Sequence, residues 1–204
     1  MDRQSWDDQW AEVLAEHGDR LADRPPNALL VEVAAALTPG RALDAGCGHG
    51  AEALWLARAR WQVTAVDVAA AALDHARHSA EALGEEIAQR VEWVQADLGS
   101  WTPPARSYDL VTSLYVHVDG SRQDAVRRLA SGVAPGGTLL LVGHLPVDVD
   151  TGEPTPAAGQ TQVTVDDATA ALDDTEWTLR TAETRPRQKS GAGQDAVIIA
   201  TRHL

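Results

Sequence analysis

A chain of 204 residues, 44 % of them hydrophobic, is long enough to bury one substantial core. Its thirty acidic against seventeen basic side chains give a formal charge of −13, which argues against a surface for nucleic acid or anionic membrane. The start, MDRQSWDDQW, lacks the positive and apolar regions of a signal peptide, no stretch approaches the ~20 apolar residues of a membrane span, and Cys47 is the only cysteine, so we expect a cytoplasmic protein without internal disulfides or a thiolate metal site.

Two helical segments are expected first, Trp6 to Glu16 and Asn27 to Leu37, separated by Arg24, Pro25 and Pro26. From Arg41 onward short β-branched runs alternate with alanine- and leucine-rich helical patterns, the signature of βαβ units around a mostly parallel sheet. The spacing predicts a first strand at Arg41 to Asp44, a helix from Ala51 to Arg58, a second strand at Gln62 to Asp67 and a helix from Ala69 to Leu83 ended by Gly84. A third strand follows at Val91 to Gln95, a fourth at Asp109 to Ser113, a helix at Arg122 to Val133, and a fifth strand at Thr138 to Val142 after the turn Pro135, Gly136, Gly137. A helix at Val165 to Leu172 and strands at Trp177 to Arg185 and Ala196 to Thr201 complete the series.

We therefore expect one domain over 1–204, with an N-terminal helical cap at 1–40, a core at 41–144, a loop at 145–162 and a C-terminal helix and strands at 163–204. The loop, LPVDVDTGEPTPAAGQTQ, carries three prolines and two glycines; its length and lack of periodicity fit either a functional lid or a disordered excursion.

LDAGCGHG, residues 43–50, sets three glycines at alternate positions after a strand and before a helix, which allows tight turns and close approach of a ligand to the backbone near a helix N-terminus. The spacing is G-x-G-x-G, not the dinucleotide G-x-G-x-x-G, and Asp44 beside it would repel a pyrophosphate; a carboxylate there suits an ammonium group or a bound water. No P-loop pattern is present. Asp67 closes the second strand, where a carboxylate can accept both hydroxyls of a ribose, and Asp97 follows the third, within reach of an adenine amino group if a ligand lies across the strand ends. Each aspartate alone could be a strand-end cap.

ALDAGCGHG, VTAVD, VQADL, YDLVTS and VAPGGTLLLV, in this order over about residues 41 to 144, resemble the motif series of class I S-adenosylmethionine-dependent methyltransferases. WDDQW and EALWLARARWQVTAVD further resemble the thiopurine methyltransferase and tellurite-resistance branch, which acts on small molecules. The resemblance implies an α/β, Rossmann-like fold: a three-layer αβα sandwich around a mostly parallel seven-stranded sheet with the last strand antiparallel. It implies S-adenosyl-L-methionine as cofactor. Asp44, Ala45, Gly46, Cys47 and Gly48 would then hold the methionine moiety, Asp67 with Val68 the ribose, Asp97 with Leu98 the adenine, and Ser113, Leu114 and Tyr115 the floor under the sulfonium. Trp10 would lie over the cofactor. On this reading a Cβ in the glycine loop would collide with the methionine end.

A phenol, amine or thiol attacks better when deprotonated, and an imidazole of ordinary pKa ~6.5 suits that transfer. His117 follows the fourth strand and His144 the fifth, so both are candidate catalytic and acceptor-pocket residues; each could equally be a structural, hydrogen-bonded histidine. Tyr115 either lines the acceptor pocket or only packs. His75 and His78 flank Arg77 and are expected on a solvated face, while His17, His49 and His203 have no evident partner. Trp55 and Trp93 fall in regular elements and are read as core.

The expected function is methyl transfer to an O, N or S atom of a small molecule; the fourth strand ends in TSLY, not the [DNS]-P-P-[YF] that marks exocyclic-amine targets by resemblance. A non-catalytic S-adenosylmethionine-binding sensor or assembly protein is the alternative. An NAD-dependent oxidoreductase is disfavoured by Asp44 and the loop spacing.

Overall fold

The computed structural model describes residues 3–22, 24–117, 119–148, 151–155, 157, 159, 162–187 and 193–204. The chain divides into two compact units, Met1–Trp101 and Thr102–Leu204. The possible lid segment falls in the second, and its residues 149, 150, 156, 158, 160 and 161 lie outside those described.

In the first unit, helices α1 (Arg3–Ala22) and α2 (Ala28–Ala35) precede β1 (Arg41–Ala45), α3 (Ala51–Arg58), β2 (Gln62–Asp67), α4 (Ala70–Ala82), α5 (Glu85–Ala88) and β3 (Val91–Gln95). β2 pairs in parallel with β1 on one side and β3 on the other. All but the first residue of β1 and of β2 are buried, the pattern of parallel strands covered on both faces. The core gathers Leu30, Leu43, Leu56, Trp61, Val66 and Leu73. Trp61 is fully buried, whereas Trp55 and Trp93 are half-buried.

Local chemistry sets the helix starts. The Asn27 side chain accepts from Leu29 N–H at 2.9 Å and caps α2. α4 buries Ala72, Leu73, Ala76 and Ala80, a narrow stripe of mostly small residues that lets it lie close to its neighbours. α5 is one turn after Gly84 at φ 110, too short to register as sequence periodicity.

The second unit contains β4 (Tyr108–Leu114), α6 (Arg122–Ser131), β5 (Val133–His144), α7 (Val165–Ala171), β6 (Trp177–Pro186) and β7 (Gln194–Arg202). β4 and β5 are parallel, while β7 runs antiparallel to both β5 and β6. Among the described residues seven strands, parallel except for the last, make the α/β class expected.

The first helix, expected over Trp6 to Glu16, runs from Arg3 to Ala22, and most other ends differ by one or two residues; the largest change among them is at the start of β5. The helix expected to reach Val133 stops at Ser131, and the Pro135, Gly136, Gly137 turn lies inside β5. Tyr108 pairs with Val133 and Leu110 with Thr138, so the intervening residues bulge out, and Gly136 takes φ 77 to allow it.

In the possible lid, Val147 and Pro154 form an antiparallel bridge, Thr155 Oγ1 donates to Leu145 O at 2.5 Å, and Ala157 is buried.

Candidate active site

Within the first unit the glycine loop is built by the backbone. Gly46, Gly48 and Gly50 all lie at positive φ, 82°, 51° and 87°. Gly46 and Cys47 N–H groups donate to Val66 O at 2.7 and 3.0 Å, and Gly48 N–H donates to Asp67 Oδ2 at 2.8 Å, tying the loop to β2. Two of the glycines answer to this chain's own packing. A Cβ on Gly48 would stand 2.8 Å from Trp10 Cζ2, and one on Gly50 would stand 2.8 Å from Ala76 Cβ and 3.0 Å from Trp93. The collision expected with a ligand is therefore, at these two positions, a collision with α1 and α4.

Asp44 is buried at the end of β1, and its Oδ2 has no hydrogen-bond partner among the described residues. Burial, reinforced by the charges of Glu52 and Asp67, pushes its carboxyl well above the usual range. Glu52, in the first turn of α3, is raised chiefly by burial, and its Oε1 accepts from Asn27 N–H at 3.1 Å. Asp67 is raised chiefly by burial too, although its Oδ1 accepts from Ala69 N–H at 3.0 Å and its Oδ2 from Gly48. Burial, then the charges of Asp44 and Asp67, drives the Cys47 thiol well above its usual value, the opposite of an activated nucleophile.

Asp97 is exposed; its Oδ1 accepts from Gly99 N–H at 2.7 Å. Val68 and Leu98 are half-buried. α1 lies against the loop and α4: Trp10 and His49 rings are 5.8 Å apart, and Ala71 N–H donates to Asp7 Oδ1 at 3.3 Å. His49 is lowered to about 4 by burial and by the charges of Arg24 and His75. His75 is not on a solvated face as expected: it is half-buried, with Nε2 enclosed, because α1 covers that side of α4. His78 is exposed.

Within the second unit Ser113 is buried and Leu114 half-buried at the end of β4. Tyr115 follows at φ 61, its N–H donating to Val142 O at 2.7 Å, and its ring lies 4.2 Å from that of His144. His144 Nδ1 is 2.7 Å from Asp195 Oδ1, and its backbone N–H donates to Gln162 Oε1 at 2.6 Å. Asp195 also accepts from Arg187 Nε at 3.0 Å and from Tyr115 Oη at 3.2 Å. Burial opposes ionisation of Asp195, but His144 and Arg187 outweigh it and hold its carboxyl below the usual range. His117 is lowered by burial and by the charge of His144, against a raising contribution from Asp119.

The structure thus brings Tyr115 and His144 together, and Asp44, Gly48 and Asp67 together. Sequence reasoning missed Asp195, Arg187 and Glu52. Asp195 opens an apolar strand after a basic, polar stretch, and nothing local marks it as facing a histidine 51 positions earlier.

Comparison with known proteins first gives the class. The chain superposes on the [4+2]-cyclase SpnF over 100 % of its own length and 98 % of that protein's, with a TM-score of 0.75 at 17 % identity. It also superposes on TehB from Haemophilus influenzae with a TM-score of 0.68 at 17 % identity, covering 88 % and 63 % of the two chains. An S-adenosylmethionine-dependent methyltransferase of Mesorhizobium loti superposes with a TM-score of 0.65 at 19 % identity, covering 84 % of this chain and 96 % of that one, so the fold is one that such enzymes share. The sequence is more particular: residues 42–137, a little under half of the chain, match the methyltransferase domain family. A release factor glutamine methyltransferase of Rhodopirellula baltica is 30 % identical over 131 residues, 63 % of this chain and 39 % of that protein. A trans-aconitate 2-methyltransferase of Paracidovorax citrulli is 31 % identical over 139 residues, 65 % of this chain and 49 % of that protein. The chain spans less than half the length of these curated relatives. S-adenosylmethionine is the cofactor of this domain, and the residues fit it: the enclosed, unpartnered Asp44 Oδ2 beside the glycine loop is a site for a cationic donor such as an ammonium.

Proposed function

We propose that the protein methylates an O, N or S atom of a small molecule at the expense of S-adenosylmethionine. The observation that carries the cofactor half of this reading is Asp44: a carboxyl group enclosed with one oxygen unpartnered is costly unless a ligand donor completes it.

On this reading Asp44 and the loop from Ala45 to Gly48 hold the methionine end, Asp67 with Val68 the ribose, and Asp97 with Leu98 the adenine. Trp10 covers the loop, and an aromatic face is attractive to a sulfonium. The bound cofactor supplies a methyl group already activated by positive sulfur. The chain's own work is to orient and to exclude water, for which positioning contributes effective molarities of ~10⁵ M or more. Ser113, Leu114 and Tyr115 line the reacting end; His144, with His117, takes up the proton of an acceptor hydroxyl, thiol or amine. We propose the loop at 145–162 as part of the acceptor pocket. A small acceptor is favoured by the charge of −13 and by TSLY at the end of β4. The relatives named for a release factor glutamine and for ribosomal RNA make macromolecular acceptors the rival outcome.

The test is calorimetric titration with S-adenosylmethionine, S-adenosylhomocysteine and NAD, followed by a screen of phenols, thiols, amines, RNA and peptides for S-adenosylhomocysteine release. Asp44→Asn is expected to weaken binding of the first two by ~1.5–3 kcal/mol, the usual worth of a hydrogen bond to a charged group. Binding without turnover on any acceptor favours the sensor reading, and preference for NAD overturns the cofactor assignment.

A further inference from the structure

We propose that Asp195 is the positioning residue of the acceptor site: it fixes His144 with a proton on Nδ1 and a bare Nε2, and Tyr115 and Arg187 fix Asp195. The proposal rests on the reading of His144 as the group that accepts the acceptor's proton.

The argument starts from donors and acceptors. An ionised carboxylate only accepts hydrogen bonds, so the 2.7 Å contact between His144 Nδ1 and Asp195 Oδ1 requires the proton on Nδ1. In the neutral ring this leaves the lone pair on Nε2, the form a proton acceptor needs. Asp195 remains ionised because two further donors converge on it: Arg187 Nε at 3.0 Å on Oδ1 and Tyr115 Oη at 3.2 Å on Oδ2. The Arg187 and Asp195 side chains are only 11 % and 12 % exposed, so the pair is shielded from solvent.

A second, independent observation points the same way. Tyr115 is one of three non-glycine residues at positive φ among those described, and its backbone is held there by the 2.7 Å bond to Val142 O. Such strain persists only where the surroundings enforce it. Here it puts the phenol on Asp195 and the ring 4.2 Å from the imidazole, so Tyr115 restrains both members of the pair. β7 contributes the carboxylate, β5 the imidazole and the residue after β4 the phenol. When a bound hydroxyl or thiol attacks the methyl carbon, the methyl–sulfur bond would break with its electron pair left on the now neutral sulfur, the acceptor's proton would pass to Nε2 and the imidazolium charge would lie beside Asp195; the proton then leaves to solvent. This is the triad logic of orientation plus charge stabilisation.

The test uses the full chain with ¹⁵N-labelled histidine. In the wild type the neutral His144 ring is expected to show a protonated Nδ1 and an unprotonated Nε2. Asp195→Ala is expected to shift the ring toward the Nε2-protonated form and to lower kcat by about 10²-fold, the usual worth of a placed proton acceptor. Affinity for S-adenosylhomocysteine is expected to stay within twofold. Should Asp195→Ala fail to fold with Arg187 unpaired, Asp195→Asn, which keeps an acceptor for Nδ1 but no charge, is expected to lower kcat by about tenfold with unchanged KM for S-adenosylmethionine. An Nε2-protonated His144 in the wild type, or wild-type kcat in both variants, overturns the proposal. Wild-type protein that fails to bind S-adenosylhomocysteine overturns the cofactor reading instead and leaves the tautomer result standing.

Discussion

At the scale of single residues, the glycine loop shows how one motif can serve two masters. Gly48 is at φ 51, where an L side chain costs roughly 1–2 kcal/mol, and its missing Cβ makes room for the Trp10 ring. Gly48→Ala is therefore expected to lower stability by about 2–4 kcal/mol, from the strained backbone and the forced contact with Trp10 together. Trp10→Ala removes only the second contribution, so a double-mutant cycle by chemical denaturation should give a coupling of about 1–2 kcal/mol. Gly50→Ala clashes with Ala76 and Trp93 and should show none with Trp10. Equal coupling at both glycines would refute this division. Glycine at alternate positions was legible as a demand for close approach, but which neighbour approaches was not, because Trp10 and Ala76 reach the loop through tertiary packing that no local pattern encodes.

At the scale of elements, α7 is a short helix whose start depends on one carboxylate. Thr164 accepts from Asp167 N–H at 3.2 Å, while Asp167 Oδ2 accepts from Thr164 N–H at 3.1 Å, completing a capping box. The same oxygen accepts from Arg122 Nε of α6 at 2.6 Å. Hydrogen bonds to Thr164 and Arg122 outweigh burial and hold the Asp167 carboxyl below its usual value. Asp167→Ala should thus cost about 1–2 kcal/mol in thermal unfolding, and Arg122→Ala less, since an ion pair with a partly exposed Arg122 is worth under ~1 kcal/mol. A larger loss at Arg122 would contradict the cap as the main contribution. Elements of this kind were readable where a local rule applies. The strands at Gln62 to Asp67 and Val91 to Gln95 and the helix at Ala51 to Arg58 carry their own periodicity and stop signals, and the structure has them at those residues. The start of β5 was not readable. Pro135, Gly136 and Gly137 make a turn signal, and only the pairing of Tyr108 with Val133 turns it into a bulge inside a strand. The acceptor-side pair was half-readable for the same reason: His144 follows an apolar strand, but its partner Asp195 arrives through antiparallel pairing of β5 with β7.

At the scale of the whole molecule, stability and ligand binding pull on Asp44 in opposite directions. In the ligand-free protein its carboxyl is raised well above the ordinary value, by burial first and then by Glu52 and Asp67. The native state therefore holds a proton that the unfolded chain gives up, and stability falls as pH rises through the interval between the two values. Asp44→Asn keeps the shape and removes the charge, so it removes this dependence. Above the raised Asp44 value the ligand-free variant is expected to be the more stable protein; as pH drops toward the ordinary carboxylate range the two should converge. His49, lowered to about 4, loses its stabilising neutral form as pH falls from 6.5, but it does so in both proteins and cancels in the difference. Cofactor binding should reverse the order: a cationic group on Asp44 favours the ionised form, so the wild type gains RT ln(1 + [L]/Kd) from S-adenosylhomocysteine, about 2.7 kcal/mol at 100 Kd, and the variant far less at the same concentration. Melting curves of both proteins at several pH values, with and without S-adenosylhomocysteine, measure this crossing directly. A variant that is less stable than the wild type without ligand at high pH would mean that Asp44 is already compensated within the chain, and the case for a ligand ammonium at that carboxylate would fall with it.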